Sequence, residues 1–523
     1  MFKNRLLLSI MIILTAIGAY AADPPAKTTY PPDIIAALDS AGTNRGELEK
    51  VLAHYAASGD TLKFMAAYFL IGNMEGHSYV TYSLKDTTDN VVPFDPLVYP
   101  TYEGLTASFD TLEKKYGVLD YKKKDVNDDL RTITADLLIM HIDYAFRAWK
   151  EKPWAKHLTF DQFCQYVLPY RGSNEPLENW RPVFWDKYAS LESTMTDPIE
   201  AARLINKDIM TWFGFDPRYY FHPTDQGMTE MMAKGKGRCE DMTNLTIFAM
   251  RANGLAVTSD YTPAWADAGN NHAWNAILVP GGKVVPFMGA EANPGDYHLA
   301  NKFAKVYRKM YGKNPDNLAF QQHKQEKLPG WLAGKNYIDV TADYDRVCNV
   351  TVTLTQAVPD SVDIAYICVF NSGEWQPIQW GRITGQTVTF AAMRPDIAYL
   401  PALYLNEKTA PAGPAFILRD DCSQSAYIAD DAKASSMRLV ATTKRQLEAS
   451  TDGSVDAFLT PGTEYELFFW RDGWQTAGKY QADDKGAVQF ENVPEGGLYW
   501  LVAKDSDREE RIFTLDTGKQ IWW

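Results

Sequence analysis

The 523-residue sequence has few of the residues that build metal centres and disulfide frameworks. It contains five cysteines and eight histidines, and none of them form a CxxC pair or show the spacing of a zinc site. So few cysteines cannot provide a disulfide framework for a chain of this length, and the odd count leaves at least one thiol unpaired within it. The sequence therefore gives no reason to expect a metal or another cofactor, but it leaves room for a reactive cysteine.

Long apolar runs are also scarce, and the first one has the form of an export signal. Lys3 and Arg5 precede an apolar run from Leu6 to Tyr20, which ends in a small-x-small pattern typical of a cleavage site. This pattern predicts a secretory signal peptide at residues 1–21, because the run is short for a membrane span. No cysteine lies near the predicted cut, and no other run is long enough to cross a bilayer. We therefore expect an exported protein, periplasmic or extracellular, with no lipoprotein anchor and no membrane span.

Positive charge is in deficit, since the formal net charge is −14. A surface of this sign repels phosphate backbones, so nucleic acid is not an expected partner. The length exceeds what one hydrophobic core supports, and several domains are expected.

The first part of the chain has the pattern of a helical domain, predicted at residues 22–190. Asp60 is placed to cap one helix, and Asp197 with the following proline starts another. Apolar residues recur at helical spacing. One such stripe consists of Leu48, Val51, Leu52 and Tyr55.

The pattern changes twice further along the chain. Residues 191–338 mix helix, strand and hairpin signals, which predicts an α+β core. Beyond Asp339 the apolar residues alternate with polar ones, and glycine, proline and Asn/Asp turns recur to the end. This predicts two β-sandwich modules, at residues 339–428 and 429–523.

The two predicted modules resemble each other in sequence. Residues 369–376 are similar to residues 468–475, and Tyr399 and Tyr499 follow at nearly the same offset. Their tryptophans could stack on carbohydrate, although packing in a core is the more common role of such side chains. The modules are therefore candidates for contact with carbohydrate or the cell envelope.

A single segment carries the residues expected to do chemistry. Glycine-rich residues 235–238 lead into a predicted helix that begins at Cys239 and ends before Asn253-Gly254. A thiol at a helix N-terminus faces the positive end of the helix dipole, which is expected to lower its pKa. The free N–H groups there can also bind a developing oxyanion.

A histidine follows at the start of a predicted strand. His272 opens the run His272–Val279, and a Pro-Gly-Gly turn leads into a second strand, so the two form a hairpin. If the helix packs on this sheet, imidazole and thiol come close together. A Cys–His pair of this kind is a nucleophile with its base.

The residues GKGRCEDMTNLTIFAMRANGLAV and NHAWN together resemble the transglutaminase-like superfamily. The resemblance implies a papain-like core in which Cys239 is the nucleophile and His272 the general base. It further implies that Asn271 and Trp274 flank the imidazole, and Trp265 is expected to help shape the site.

The third catalytic residue is where the sequence departs from the family. The family's acid usually ends the strand after the histidine strand, and that position is Met288 here. Glu291 is the nearest carboxylate and the preferred candidate, with Asp296 next. Its role would be to hold the histidine tautomer. If neither acid reaches His272, the site is weakened or only binds.

Two other features receive simpler interpretations. Gln226 lies upstream of Cys239 at a spacing that does not fit an oxyanion donor, and it is expected in a surface loop. The basic run Lys302–Lys313 is expected to form the solvated face of a helix.

Together these features predict an exported thiol enzyme that acts on amide bonds of a protein or peptide through an acyl-enzyme at Cys239. Hydrolysis is favoured over cross-linking. The alternative is an inactive transglutaminase-like protein that binds carbohydrate or protein at the cell surface.

Overall fold

The computed structural model describes residues 30–191, 195–324, 327–448, 457–506 and 509–523. The predicted signal peptide lies outside these residues. Within the described ranges, no helix has both the length and the apolar character needed to cross a membrane.

Most α-helices of the described residues lie before residue 253, and two short ones follow further along the chain. They are α1 (Pro32–Ser40), α2 (Arg45–Ser58), α3 (Thr61–Gly72), α4 (Tyr102–Tyr116), α5 (Asp129–Thr132), α6 (Ala135–Glu151), α7 (Phe160–Tyr166), α8 (Trp180–Lys187), α9 (Pro198–Met210), α10 (Met228–Lys234), α11 (Cys239–Ala252), α12 (Thr341–Tyr344) and α13 (Lys444–Glu448).

Most strands lie after residue 256, and the first four lie among the helices. They are β1 (Ser78–Lys85), β2 (Asp120–Asp128), β3 (Gly214–Phe215), β4 (Lys236–Gly237), β5 (Val257–Thr262), β6 (His272–Leu278), β7 (Val284–Phe287), β8 (Tyr307–Lys309), β9 (Tyr337–Asp339), β10 (Cys348–Thr353), β11 (Ile364–Asn371), β12 (Glu374–Thr384), β13 (Thr387–Met393), β14 (Ile397–Leu405), β15 (Lys408–Pro411), β16 (Phe416–Leu418), β17 (Gln424–Ala426), β18 (Asp430–Leu439), β19 (Glu464–Trp470), β20 (Trp474–Gln481), β21 (Val488–Glu495), β22 (Tyr499–Ala503), β23 (Ile512–Asp516) and β24 (Lys519–Trp522).

The helical signals of the first region are confirmed. Asp60 accepts a hydrogen bond from the backbone N–H of Lys63 and caps α3, and Asp197 caps α9 in the same way. The predicted apolar stripe of α2 is buried along its length. The sequence did not indicate the antiparallel hairpin of β1 and β2, which is inserted among these helices.

Helix α11 lies at the centre of the molecule. It packs against β5 and β6 of a five-stranded sheet with the order β7-β6-β5-β8-β9. Every residue from Asp241 to Ala252 is buried, so the helix is enclosed on all sides rather than along one stripe. Gly254 follows at φ +75°, where a Cβ would lie 3.0 Å from the Ala148 carbonyl oxygen, so only glycine fits this turn.

Buried arginines tie α11 to the helical region. The Arg251 side chain donates to the carbonyl of Arg171, and Arg181 donates to the carbonyls of Arg251 and residues 167–169. Arg171 is paired with the buried carboxylate of Asp129. Because these guanidinium groups satisfy buried carbonyls, they fix the helices relative to each other.

The strands from β10 onwards form two β-rich segments whose strands pair in a corresponding order, except that the second segment is divided into two sheets. In the first β-rich segment (residues 348–426) the order is β10-β13-β12-β11-β14-β16-β17. In the second β-rich segment (residues 430–522) β18 pairs with β21, and a further sheet has the order β20-β19-β22-β23-β24. The tyrosines noted in the sequence match as well: Tyr399 donates to the carbonyl of Arg394 and Tyr499 to that of Pro494, each five residues earlier.

The disulfide Cys348–Cys422 joins the two ends of the first β-rich segment. The other three cysteines, Cys164, Cys239 and Cys368, are free and buried.

The prediction for Lys302–Lys313 was wrong. This run includes β8, and most of its residues are buried. Lys305 is fully buried because its ammonium group is paired with Asp339 and donates to the carbonyls of Ala391 and Ala392. Those partners lie far away in the sequence, so the local pattern could not show that the lysine is neutralised inside the protein.

Candidate active site

Cys239 is the first residue of α11, as the glycine-rich entry predicts. Because α11 packs against β6, the sulfur lies beside the backbone N–H of Ala273, the residue after His272. The cysteine is 5% exposed. The start of α11 therefore lies against the beginning of the histidine strand. No hydrogen bond joins Cys239 and His272 in the part of the chain that the structure describes.

The thiol itself is not in a thiolate-stabilising environment. Cys239 Sγ donates to Glu240 Oε2 at 3.0 Å. Burial raises the pKa of the Cys239 thiol well above its ordinary value, and the Glu240 carboxylate raises it further. The Ala273 N–H and the Arg238 guanidinium lower this pKa by less. The expected depression of the thiol pKa is therefore absent here, because desolvation and a neighbouring carboxylate outweigh the helix terminus.

Two indole rings stack next to the imidazole of His272. Its centroid lies 5.7 Å from that of Trp265 and 5.8 Å from that of Trp274, and both pairs are stacked. Trp274 is fixed in turn, because its Nε1–H donates to the Tyr344 hydroxyl at 2.8 Å. Burial lowers the pKa of His272, so the ring is neutral near pH 7. Asn271 precedes it and is partly exposed.

Tyr297 is a site residue that the sequence did not indicate. Its hydroxyl lies 2.8 Å from His272 Nε2. Burial raises the pKa of Tyr297, and the charges of Glu291 and Cys239 raise it further, so the phenol stays protonated. It follows no motif and lies 25 residues beyond the histidine, which explains why the sequence gave no signal for it.

Neither candidate acid forms a hydrogen bond with His272 in the described part of the chain. Glu291 is exposed, and its influence on the site runs through the charge it exerts on Tyr297. Asp296 lies 4.0 Å from Arg203, on the side of α9. Met288, at the position of the family's acid, is buried.

The turn before Cys239 is fixed by a buried carboxylate. Asp241 accepts from the backbone N–H groups of Arg238 and Gln226 and from the Gln226 side chain. Burial and the charge of Asp225 raise the pKa of Asp241 to about 6. Gln226 is fully buried, so its expected place in a surface loop was wrong: Asp241 draws it into the interior. These bonds hold the entry to α11 in one conformation.

One edge of the site is open to solvent. Tyr220 is 49% exposed, and its pKa is raised to about 12 by burial and by the charges of Cys239 and Glu240. Within the described ranges, no group of three or more His, Cys, Asp or Glu side chains is arranged to hold a metal ion.

Comparison with known proteins identifies the segment that holds this site. Residues 188–288 match the family model of the transglutaminase-like superfamily, and the match includes both Cys239 and His272. No curated protein matches the chain in a sequence search.

Proposed function

Starting from a transglutaminase-like domain at residues 188–288, we propose that this protein is an exported thiol enzyme that acts on amide bonds of a protein or peptide. Cys239 is the nucleophile and His272 the general base. The observation that carries this proposal is the juxtaposition of the Cys239 sulfur with the first residues of β6, beside a histidine whose Nε2 is already engaged by Tyr297.

The proposed reaction uses the second imidazole nitrogen. Since Nε2 of His272 is engaged by Tyr297, Nδ1 is left to accept the thiol proton. The sulfur then attacks the amide carbonyl, and N–H groups at the start of α11 bind the oxyanion. The imidazolium returns its proton to the leaving nitrogen as the C–N bond breaks, which leaves a thioester. Water resolves the thioester with His272 as base again, which restores the thiol.

In this proposal Tyr297 orients the imidazole of His272, and Glu291 acts on Tyr297 through its charge. A phenol fixes the direction of the imidazole, but it stabilises the imidazolium less than a carboxylate does. The carboxylate of Glu291 supplies negative charge at longer range through Tyr297. Trp265 and Trp274 stack on the imidazole and would shield it from water, and the partly exposed Asn271 precedes it in the chain.

Glu240 keeps the resting thiol protonated. Before attack, the S–H must turn from the Glu240 carboxylate to His272. Removing the negative charge of Glu240 lowers the Cys239 pKa, and one pKa unit changes the thiolate fraction about tenfold. This step gives a direct test of the proposed pair.

The test measures alkylation of Cys239 by iodoacetamide at pH 6, by mass spectrometry of whole protein. Wild type is expected to react slowly, and Glu240→Gln roughly tenfold faster. Adding His272→Ala to Glu240→Gln is expected to reverse most of that gain. Cys164 and Cys368, both buried, serve as internal controls. The proposal is contradicted if His272→Ala leaves the alkylation rate unchanged both in the wild-type protein and in the Glu240→Gln variant.

A second candidate function is carbohydrate binding without catalysis, and a cleft in the second β-rich segment favours it. The cleft has a volume of about 510 Å³ and is lined by Phe468, Trp474 and Trp500, with Glu464 and Glu466 beside them. Aromatic faces next to carboxylates suit the apolar faces and hydroxyl groups of a sugar. Titration with oligomers of N-acetylglucosamine, followed by tryptophan fluorescence, tests it. An unchanged spectrum in wild type, or a change that survives Phe468→Ala, excludes this function for the cleft.

A further inference from the structure

The segment that leads into His272 is held from outside the transglutaminase-like domain. We call residues 265–271 the histidine loop; it connects β5 to β6, and Trp265 at its start stacks on the imidazole. One internal hydrogen bond shapes it, from the Trp265 N–H to the Asn270 carbonyl. Asn270 itself has a left-handed backbone conformation, with a φ of +64°. The Ala266 N–H donates to the Lys302 carbonyl of the α+β core at 2.7 Å. The other contacts described below link the loop to the two β-rich segments.

Asn371 makes the first of these contacts. It ends β11 at the tip of a hairpin in the first β-rich segment, and it is 5% exposed. Its Nδ2 lies 2.9 Å from the Trp265 carbonyl oxygen, 2.9 Å from that of Ala268 and 2.8 Å from that of Asn270. One amide group therefore fixes both ends of the loop.

The next residue of the same tip adds to this contact. Ser372 Oγ accepts from the Asn270 backbone N–H at 3.3 Å and donates to Asn371 Oδ1 at 3.1 Å. Gly269 lies so close that a Cβ there would be 3.2 Å from the same Oγ. The loop and the hairpin tip are therefore in direct contact over several residues.

Arg511 makes the second contact, from the second β-rich segment. Its Nη1 donates to the Ala268 carbonyl at 3.3 Å and its Nη2 to the Ala266 carbonyl at 2.5 Å. The same Nη2 also donates to the Phe370 carbonyl, beside Asn371, and to the main-chain oxygen of Trp523. Burial lowers the pKa of Arg511 to about 10, so it is still charged at neutral pH.

No aspartate or glutamate side chain lies at ion-pair distance from Arg511 within the described ranges. A buried guanidinium in that position is stable only where carbonyl dipoles surround it, and the carbonyls of the histidine loop are half of those it contacts. The loop and the arginine therefore depend on each other.

We infer that Asn371 and Arg511 are positioning residues that hold the histidine loop, and through it the direction of His272, so that the β-rich segments form part of the active site. This inference rests on the proposed function for its catalytic meaning. The alternative is that these contacts only join neighbouring parts of the chain and leave the imidazole where it is.

The test uses Asn371→Asp, which keeps the shape of the side chain and replaces the donor by an acceptor facing three carbonyls. Asn406→Asp is the matched control, because Asn406 lies exposed in a turn of the same segment. Amide hydrogen exchange of residues 265–272 is expected to become roughly tenfold faster in Asn371→Asp and to stay unchanged in Asn406→Asp.

The second measurement links the loop to the histidine. In the Glu240→Gln background, Asn371→Asp is expected to slow Cys239 alkylation towards the rate found with His272→Ala. With His272→Ala already present, Asn371→Asp is expected to have no further effect, since the two changes act through one group. Arg511→Lys keeps the charge but loses the forked geometry of the guanidinium. In the Glu240→Gln background it is expected to give a Cys239 alkylation rate between that of the background and that with Asn371→Asp.

The outcomes separate this inference from the proposed function. Faster exchange with unchanged alkylation would mean that the contact holds the loop without setting His272, and it would overturn the inference. Unchanged exchange in Asn371→Asp would overturn it as well. If alkylation never depends on His272, the proposed function fails, and exchange at residues 265–272 still decides whether Asn371 holds the loop.

Discussion

The two β-rich segments share a strand order but differ at the same hairpin tip. In the first, the tip residue Asn371 faces the histidine loop, and its Nδ2 lies within hydrogen-bond distance of three of the loop's carbonyl oxygens. In the second, Arg471 lies at the matching turn and pairs with Asp431 of its own segment at 2.6 Å, with both side chains substantially exposed. Trp470, which matches Asn371 in position, is buried and packs on Trp375 of the first β-rich segment. The comparison shows that corresponding hairpin ends can make different contacts, one with the histidine loop and the other with the neighbouring segment.

The disulfide is the largest chemical difference between the two segments. Cys348 and Cys422 are 74 residues apart, and closing a loop of that length typically stabilises a fold by about 2–4 kcal/mol. The double variant Cys348→Ala, Cys422→Ala is therefore expected to lose about this much stability in the first β-rich segment only. Pulse proteolysis across a urea series, read from peptides of each segment, measures it.

Each cysteine changed singly is the control for that experiment. Both single variants are expected to match the double variant, because either one removes the bond. Equal loss in the two segments would show that they unfold as one unit and that the disulfide does not distinguish them.

The two tyrosines test the feature that the segments share. Tyr399→Phe and Tyr499→Phe each remove a hydrogen bond to a carbonyl five residues earlier. Each is expected to cost about 1–2 kcal/mol in its own segment, because the carbonyl loses its donor. Tyr499→Phe is expected to cost slightly more, since its hydroxyl also accepts from the Gly497 N–H. The same urea series measures both. If only one of the two variants destabilised its own segment, the two hydrogen bonds would not be equivalent in energy.

The smallest effect is expected at the tip that faces solvent. Arg471→Gln removes an exposed ion pair, which contributes at most about 1 kcal/mol. Cys239 alkylation is expected to stay within twofold of the parent rate, in contrast to Asn371→Asp. Comparing Arg471→Gln with Asn371→Asp in the Glu240→Gln background checks this, and a similar slowing in both would remove the proposed difference between the tips.

The sequence predicted the parts of the site that local signals control. The glycine-rich entry and the acidic first turn indicated a helix beginning at Cys239, and alternation indicated a strand beginning at His272. Both positions are confirmed, because caps and alternation depend on neighbours in the chain.

The rest of the site depends on contacts between distant residues. Tyr297 reaches His272 from an irregular segment, and Asn371 reaches the histidine loop from a strand about 100 residues away. The prediction of a low Cys239 pKa was wrong for a different reason. Burial and the adjacent Glu240 raise this pKa by more than the Ala273 N–H and Arg238 lower it. The direction in which the pKa of a buried group shifts depends on the positions of all the charged groups around it, and the order of residues in the chain does not give those positions.

The position of Arg511 also has a consequence for biosynthesis. It lies only 12 residues before Trp523, and it holds a loop that is made some 240 residues earlier. During synthesis the N-terminal parts of a chain emerge and fold first. The nucleophile and its base would therefore exist in a nascent chain before the arginine that fixes the histidine loop has been translated. If Arg511 positions the histidine loop, the working site is complete only after the second β-rich segment has been made, and a chain cut short before Arg511 would carry the catalytic residues without their alignment.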